Sequence, residues 1–272
     1  ATPMLFTTAR VRFLSVLLGL SLLGACAAPQ VKELDPEASA RQDYLEAMEE
    51  LVAGNYIQAT MLFNKVTRAP RYVRYGALAR VRIGDALYRQ QRYEEAIQAY
   101  RAFISQFGSD PNVPYARFKI AQCFGHRIPF EWFASPPAYE MDLTMTRQAL
   151  SEYKTFVKTF PTSRYSAEAR EKIAELRDSM LAHEYYVADY YAAHEKWRAV
   201  AWRLQGAIDR YPDLAKTETI VFRLGTAFEK AGDLKDAERT YALYVQSFPA
   251  SKRLPEVNQR LESIRQQTPS AL

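Results

Sequence analysis

Apolar positions between residues 220 and 249 recur with the period of an α-helix, in two runs separated by a break. The runs extend from Ile220 to Phe228 and from Ala237 to Tyr241, with apolar residues three or four apart, a spacing that predicts two amphipathic helices. Gly232 lies in the break, where glycine commonly ends a helix. Pro249 cannot continue the second helix. This stretch is therefore predicted to form a pair of packed helices.

Small residues mark the place where these two helices would cross. Gly225 and Ala237 leave room for the backbones to approach closely, and Tyr241 would fill the space beside them. The tetratricopeptide repeat has a typical order of residues: Leu-Gly-x-x-aromatic, then Ala-x-x-x-aromatic, then Pro. This stretch follows that order. The pattern recurs along the chain, with a proline or glycine about twelve residues after the small or apolar position: Ala59 and Pro70 (one residue early), Ala96 and Gly108, Ala149 and Pro161, Val200 and Pro212, Ala237 and Pro249.

These five copies predict an all-α fold, a tetratricopeptide-type helix-pair solenoid of about five repeats. The pattern from Ser166 to about His194 lacks a breaker, so it predicts one long helix that connects the third pair to the fourth. A final polar helix, 254–265, would close the array. The aromatic segment 125–144 interrupts the third pair; it either packs back on the array or contacts a partner.

The first residues have the features of a targeting segment. Arg10 and Arg12 precede an apolar run, 13–23, which is followed by small residues and Cys26, as in a secretory signal. The run is too short for a spanning helix. The cysteine resembles the lipobox of bacterial lipoproteins, which implies lipid on Cys26; the alternative is ordinary secretion with an incidental cysteine. The alanines at 27–28 resemble the signal for release to the outer membrane of Gram-negative bacteria.

Charge and reactive side chains give little evidence for catalysis. The net charge of +5 falls to about +3 without the two leader arginines, which is too slight to predict a nucleic-acid partner. His183 and His194 could share a helix face, but no third ligand has a suitable spacing for a metal. Cys123 lies in an apolar helix and is predicted to be core. No cofactor motif occurs, so no cofactor and no enzyme activity are predicted; a membrane-anchored enzyme is the weaker rival.

Several segments together resemble a known family. Beyond the lipobox and the repeats, these segments are 110–115, 182–191 with its Tyr-Tyr-Val-Ala-Asp-Tyr-Tyr run, 197–200 and Tyr211-Pro212. They are similar to the BamD (ComL-like) family of outer-membrane protein assembly lipoproteins. The resemblance implies a periplasmic, membrane-anchored adaptor that works with a BamA-like barrel subunit and with other assembly lipoproteins. The alternative is another repeat-containing lipoprotein scaffold, pilotin-like or peptidoglycan-linked.

The resemblance also suggests what each part of the chain does. Residues 1–25 would be the signal peptide, 26–39 the lipidated linker, 40–165 the half that binds client signals, 166–265 the half that docks the barrel subunit, and 266–272 a tail. The clients would be the C-terminal strand signals of unfolded outer-membrane proteins. Candidate client-binding residues, which offer donors and flat apolar surface, are Tyr72, Tyr75, Arg80 and Tyr115. The alternative is that the tyrosines pack between repeats.

The fourth pair carries the predicted docking residues. Val200 and Leu204 define its buried stripe; at about 100° per residue Arg203 falls at the edge, and Trp202 lies almost opposite. Arg198, four residues before Trp202, shares the outward face. The resemblance implies that Arg203 pairs with an acidic residue of the last POTRA domain of the barrel subunit. The alternative is a solvated Arg203 and a Trp202 that packs on a neighbouring helix.

Overall fold

The structure is a computed structural model that describes residues 36–68, 73–128 and 142–267, and the regular structure in these ranges is helical. The helices are α1 (Pro36–Ala53), α2 (Tyr56–Arg68), α3 (Val73–Arg89), α4 (Tyr93–Gln106), α5 (Val113–His126), α6 (Thr144–Thr159), α7 (Ser166–Ala193), α8 (Trp197–Arg210), α9 (Pro212–Ala215), α10 (Glu218–Ala231), α11 (Leu234–Ser247) and α12 (Leu254–Gln267). The predicted all-α fold is confirmed.

The helices form consecutive packed pairs. The pairs are α1–α2, α3–α4, α5–α6, α7–α8 and α10–α11, and the long helices pack successively along the array. This confirms the solenoid of five repeats. Helix α12 covers the last pair with Val257, Leu261 and Ile264, which are its buried residues. It ends two residues later than predicted.

Close helix crossings occur at Gly225, as predicted, and also at Gly84. A Cβ atom added to Gly225 would lie 2.5 Å from the ring of Tyr241, and one added to Gly84 would lie 2.5 Å from the ring of Tyr100. Both tyrosine side chains are fully buried. The same small-residue and tyrosine arrangement therefore holds the second and the fifth pair together.

A left-handed backbone position separates the helices in four of the pairs. It falls at Gly54, Gln91, Glu195 and Gly232, each with φ between 57° and 86°, and the second helix begins two residues later in every case. Glycine adopts this conformation without steric cost. The sequence pattern identified Gly232 as a break but did not reveal that Gln91 and Glu195 hold the equivalent position.

Helix α7 confirms the predicted long connection. At 28 residues it is about 42 Å long. It packs against α6 with its first half and α8 with its second, so one helix belongs to two pairs. Ala169 is buried in the first half and Ala188 in the second. The halves 40–165 and 166–265 are thus joined by a shared element, although their assigned roles remain predictions.

Two predicted features fall partly or wholly outside the described residues. The leader and Cys26 precede residue 36, and most of the aromatic insertion lies in 129–141. The predictions made for them therefore stay predictions. Cys123, by contrast, is described: it is fully buried, and burial raises the pKa of its thiol to about 12. Its predicted place in the core is confirmed.

Candidate protein-binding surfaces

Asp85, on α3, is the centre of a buried polar network in the N-terminal half. It is only 9% exposed. Its Oδ1 atom accepts hydrogen bonds from the hydroxyls of Tyr100 at 2.6 Å and Tyr115 at 2.7 Å. Its Oδ2 atom accepts one from Nη1 of Arg82 at 2.6 Å. A carboxylate can be buried at tolerable cost when it is paired and hydrogen-bonded in this way.

The network connects four helices. Nε of Arg82 also donates to the hydroxyl of Tyr44 on α1, at 3.4 Å. Burial, followed by the charge of Asp85, raises the pKa values of Tyr100 and Tyr115, so both hydroxyls remain protonated donors at neutral pH. The ring of Tyr115 is consequently held in a fixed position.

A cleft of about 470 Å³ opens beside this network. It is lined by Leu51, Val52, Tyr56, Arg82, Asp85, Tyr88, Arg89, Tyr115 and Lys119. The wall formed by α1 and α2 is largely apolar, whereas α3 and α5 supply the charged groups. A cleft that combines flat apolar surface with cations can bind a carboxylate together with a neighbouring apolar side chain.

Two cations in the cleft form no ion pair with a carboxylate of the described residues. The Nζ atom of Lys119 lies 3.9 Å from the ring centroid of Tyr88 and donates to Oε1 of Gln122 at 2.9 Å. Burial lowers the pKa of Lys119. Arg89 is exposed, and neither it nor Lys119 forms an ion pair within the described ranges. These two side chains are therefore available to an anionic ligand.

Of the three predicted client-binding residues that the structure describes, only Tyr115 lines the cleft. Half-buried Tyr75 packs against Tyr44, with ring centroids 5.8 Å apart. The guanidinium of Arg80 donates to the backbone oxygen of Gly76 at 3.2 Å and lies over the ring of Phe107. Tyr72 lies outside the described residues. For Tyr75, the structure matches the alternative interpretation, packing between repeats.

Sequence analysis did not identify Asp85, Arg89 and Lys119 as parts of one site. One signal was present: Asp85 is the single acidic residue within a strongly basic stretch, 65–92. A single acidic residue among many arginines can indicate a buried charge pair, since a solvent-exposed basic surface does not require an acidic residue.

The second candidate surface lies on α8. Trp202 is 70% exposed, whereas Val200 and Leu204 are buried, so the predicted outward direction of Trp202 is confirmed. Arg198 is also exposed, and its Nε and Nη2 atoms donate to the two carboxylate oxygens of Asp233 at 2.9 and 2.7 Å. This pairing lowers the pKa of Asp233. Trp197 is half-buried against the core.

Arg203 lies at the edge of this surface. Its side chain is 42% exposed, and its Nη1 atom is 3.4 Å from Oε2 of Glu184. Glu184 has a closer partner in Arg210, at 2.5 Å. Since Arg210 alone can neutralise Glu184, Arg203 could exchange this long contact for an acidic residue of another protein at small cost.

The outward face of α7 adds two aromatic residues that the sequence analysis did not assign. Tyr190 is 56% exposed and Tyr186 is 36% exposed. With Trp202, they are the most exposed aromatic side chains of the described residues. Exposed aromatic residues are typical of protein-binding hot spots. At about 100° per residue, Tyr186 and Tyr190 lie roughly 200° and 240° around α7 from Glu184, the contact of Arg203, so they face away from α8.

Two features are absent from the described residues. No group of histidine, cysteine, aspartate and glutamate side chains there could hold a metal ion. In the same ranges, no helix combines the length and the apolar character needed to cross a membrane.

Comparisons with known proteins agree with these features. The model of the YfiO family, described as outer membrane lipoprotein, matches residues 36–243. The chain is similar to the outer membrane protein assembly factor BamD of Haemophilus influenzae (29% identity; 82% of this chain, 85% of that one). It is also similar to the outer membrane protein assembly factor BamD of Neisseria meningitidis serogroup A (28% identity; 88% of this chain, 91% of that one). Among solved structures, it is similar to the TPR2AB domain of yeast Sti1 complexed with pHSP90 (13% identity, TM-score 0.44; 85% and 84%). Because the family model matches most of its length, the chain belongs to the YfiO family of outer membrane lipoproteins.

Proposed function

We propose that this protein is an outer-membrane-anchored adaptor of β-barrel assembly, which binds unfolded outer-membrane proteins and the barrel-and-POTRA subunit. The observation that carries the proposal is the presence of two separate binding surfaces on one helical array. One is the cationic and aromatic cleft beside Asp85; the other is the exposed face of α8 with Trp202 and Arg203. The relatives that cover most of the chain are named as outer membrane protein assembly factors. The protein would act by binding, without catalysis.

The N-terminal half is proposed to hold client signals. Tyr115, fixed by Asp85, presents its ring to the cleft. Arg89 and Lys119, which form no ion pair among the described residues, supply positive charge. A chain terminus offers a carboxylate that such groups bind through charge-assisted hydrogen bonds. Of the three predicted client-binding residues that the structure describes, Tyr115 is the one that lines this cleft.

The C-terminal half is proposed to dock a BamA-like subunit through its last POTRA domain. Exposed Trp202 would provide the apolar anchor, Arg203 the charge pair and Arg198 a contact at the rim. Loss of a desolvated charge pair at an interface costs roughly 2–5 kcal/mol, or tens- to thousands-fold in affinity. Arg198 is already paired with Asp233, so its removal should have a smaller effect.

Arg203 substitutions test this docking surface. Arg203→Glu would place a second carboxylate beside Glu184, so Arg203→Ala is the cleaner variant, because Arg210 still neutralises Glu184. Both variants should release the barrel subunit in a pull-down from crosslinked membranes. Arg239→Ala, a change at an 80% exposed arginine on α11, is the matched control and should retain it.

The outcome can be separated from unfolding. Circular dichroism should show unchanged helix content in Arg203→Ala, and an acid-to-base change on the partner should restore binding to Arg203→Glu. If Arg203→Ala captures as much barrel subunit as the unsubstituted protein at physiological salt, the docking surface lies elsewhere.

The anchor is proposed to be lipid on Cys26. Several acyl chains on one residue give stable membrane binding, whereas one chain gives only marginal binding. Of the predicted linker 26–39, residues 36–39 belong to α1; residues 26–35 would hold the array away from the membrane surface. No membrane-spanning helix is required for this arrangement.

A further inference from the structure

Helix α2 has apolar side chains on its outward face as well as on its core face. Ala59, Phe63 and Val66 are buried in the core that α2 shares with α1 and α3. Ile57 and Met61 lie about 160° around the helix from Ala59, and they are 71% and 63% exposed. Apolar residues on opposite faces are typical of a helix that is buried on both sides, so the outward face of α2 is expected to have an occupant.

The first pair carries much of the exposed apolar surface of the array. Seven large apolar or aromatic side chains stand out as exposed among the described residues, and four of them belong to α1 and α2: Leu45, Val52, Ile57 and Met61. The equivalent second helix of the next pair, α4, instead exposes Glu94, Glu95 and Arg101. Exposed apolar side chains in one place indicate a binding surface.

The two helices of the first pair differ in charge. Helix α2 has no acidic residue, and its basic residues, Lys65 and Arg68, lie near its end. Arg68 is exposed and lies within about 20° of both Ile57 and Met61 around the helix. Helix α1, by contrast, contains five acidic residues: Glu37, Asp43, Glu46, Glu49 and Glu50. An anionic surface is therefore compatible with the outward face of α2 but would be repelled by α1.

This outward face lies close to the point where the chain enters the array. Residues 26–35 connect the proposed anchor at Cys26 to α1, and a chain of ten residues spans at most about 35 Å. The Nζ atom of Lys65 is 3.0 Å from Oδ1 of Asp43, so the end of α2 lies beside the first half of α1. Within this reach the first pair meets the membrane at a high effective concentration, and a weak contact suffices. The later pairs can still stand away from the surface.

We propose that the outward face of α2 rests on the phospholipid surface that holds the anchor, with Ile57 and Met61 at the boundary between headgroups and acyl chains and Arg68 at the anionic phosphates. The proposal rests on the lipid anchor at Cys26 and adds the orientation of the array. Interfacial helices bury their apolar side by about 5–10 Å and combine this burial with the attraction of basic residues to anionic lipid.

This orientation leaves the cleft open to protein partners. Tyr56 is the residue of α2 that lines the cleft. It lies about 100° around the helix from Ile57 and about 140° from Met61. The cleft and the membrane contact therefore occupy different sides of the first pair.

Fluorescence quenching in reconstituted vesicles tests the contact. The mature lipidated protein carries Met61→Cys and is labelled with bimane; Cys123 is fully buried and Cys26 would be occupied by lipid, so the introduced thiol is the one that reacts. The vesicles contain phosphatidylethanolamine and phosphatidylglycerol with brominated acyl chains. Quenching at position 61 should be at least about threefold stronger than in a matched protein labelled through Val52→Cys, because only the former label enters the bilayer boundary.

Substitutions separate insertion from simple proximity to the membrane. Ile57→Asp should lower the quenching at position 61 about threefold or more, because it places a charge at the bilayer boundary; aspartate in the first turn of α2 is compatible with the helix dipole. Val52→Asp makes the same change at an 82% exposed position of the same pair and should leave the quenching unchanged. Replacement of phosphatidylglycerol by phosphatidylcholine should weaken it about fivefold, because Arg68 loses its anionic partner.

The outcomes distinguish this proposal from the anchor itself. If the protein floats with the vesicles but positions 61 and 52 are quenched equally, or if Ile57→Asp leaves the quenching at position 61 unchanged, the anchor stands and the contact of α2 is wrong. If the protein with native Cys26 does not float with the vesicles, the anchor fails and the proposal fails with it. If position 61 is shielded from an aqueous quencher only after purified barrel subunit is added, the face binds protein and the proposal is overturned.

Discussion

Replacement of Gly225 by alanine should destabilise the fifth pair, although alanine is the better helix former. The added Cβ would lie 2.5 Å from Cε1 of Tyr241, about 1 Å closer than an ordinary carbon–carbon contact. The ring has little freedom to move away. It is fully buried, and its hydroxyl donates to Oε2 of Glu229 at 2.7 Å.

The expected size of the effect follows from three contributions. Overpacking of a core costs about 1–3 kcal/mol, and weakening of the Tyr241 hydrogen bond adds about 1 kcal/mol. The higher helix propensity of alanine offsets about 1 kcal/mol. The free energy of unfolding should therefore fall by about 2 kcal/mol.

Urea unfolding followed by circular dichroism measures this change. Gly206→Ala is the matched control, because its Cβ would meet only the flexible end of Arg210, at 3.3 Å; it should be neutral or stabilise by up to about 1 kcal/mol. Tyr241→Leu should relieve the clash, so the two substitutions should be strongly non-additive in a double-mutant cycle. A Gly225→Ala protein as stable as the unsubstituted one would refute the close-crossing argument.

Three further predictions concern single side chains. Asp85→Asn removes the charge that neutralises Arg82 and should lower the free energy of unfolding by about 2–3 kcal/mol in urea titrations; an unchanged midpoint would contradict the network. Cys123 is fully buried and its pKa is raised to about 12, so it should not react with a thiol reagent at pH 8 until the protein is unfolded; rapid native labelling would contradict this. Cys26→Ser should shift the protein from the outer membrane to the soluble fraction or leave an uncleaved precursor, and mature-sized protein in the membrane fraction would exclude lipid at Cys26 as the anchor.

The repeats could be predicted from the sequence because their packing depends on short-range spacing. Gly225 and Tyr241 are sixteen residues apart, as are Gly84 and Tyr100: a small residue, a turn and an aromatic ring at fixed offsets. The outward direction of Trp202 followed from the helical period for the same reason. These relations require only one helix pair, so a single sequence contains them.

The cleft could not be predicted in this way, because it depends on how the pairs stack. Asp85 brings together Tyr100 and Tyr115, which lie 15 and 30 residues further along the chain. Tyr75 and Tyr115 appear equivalent in sequence, yet Tyr75 packs between repeats and Tyr115 lines the cleft. The helical period of α8 correctly predicted that Arg203 lies at the edge of the buried stripe. It could not predict the contact with Glu184, because Glu184 belongs to α7.

The shared helix α7 has a consequence for how damage spreads through the molecule. In a regular array each pair contacts only its neighbours, so a weakened pair can open alone. Here the third and fourth pairs use the same helix, and unwinding one end of α7 removes packing from the other. A substitution at buried Ala169 in the third pair would therefore also lower the fraction of molecules with a folded Trp202 surface. Loss of partner binding can thus arise from a residue that no partner touches.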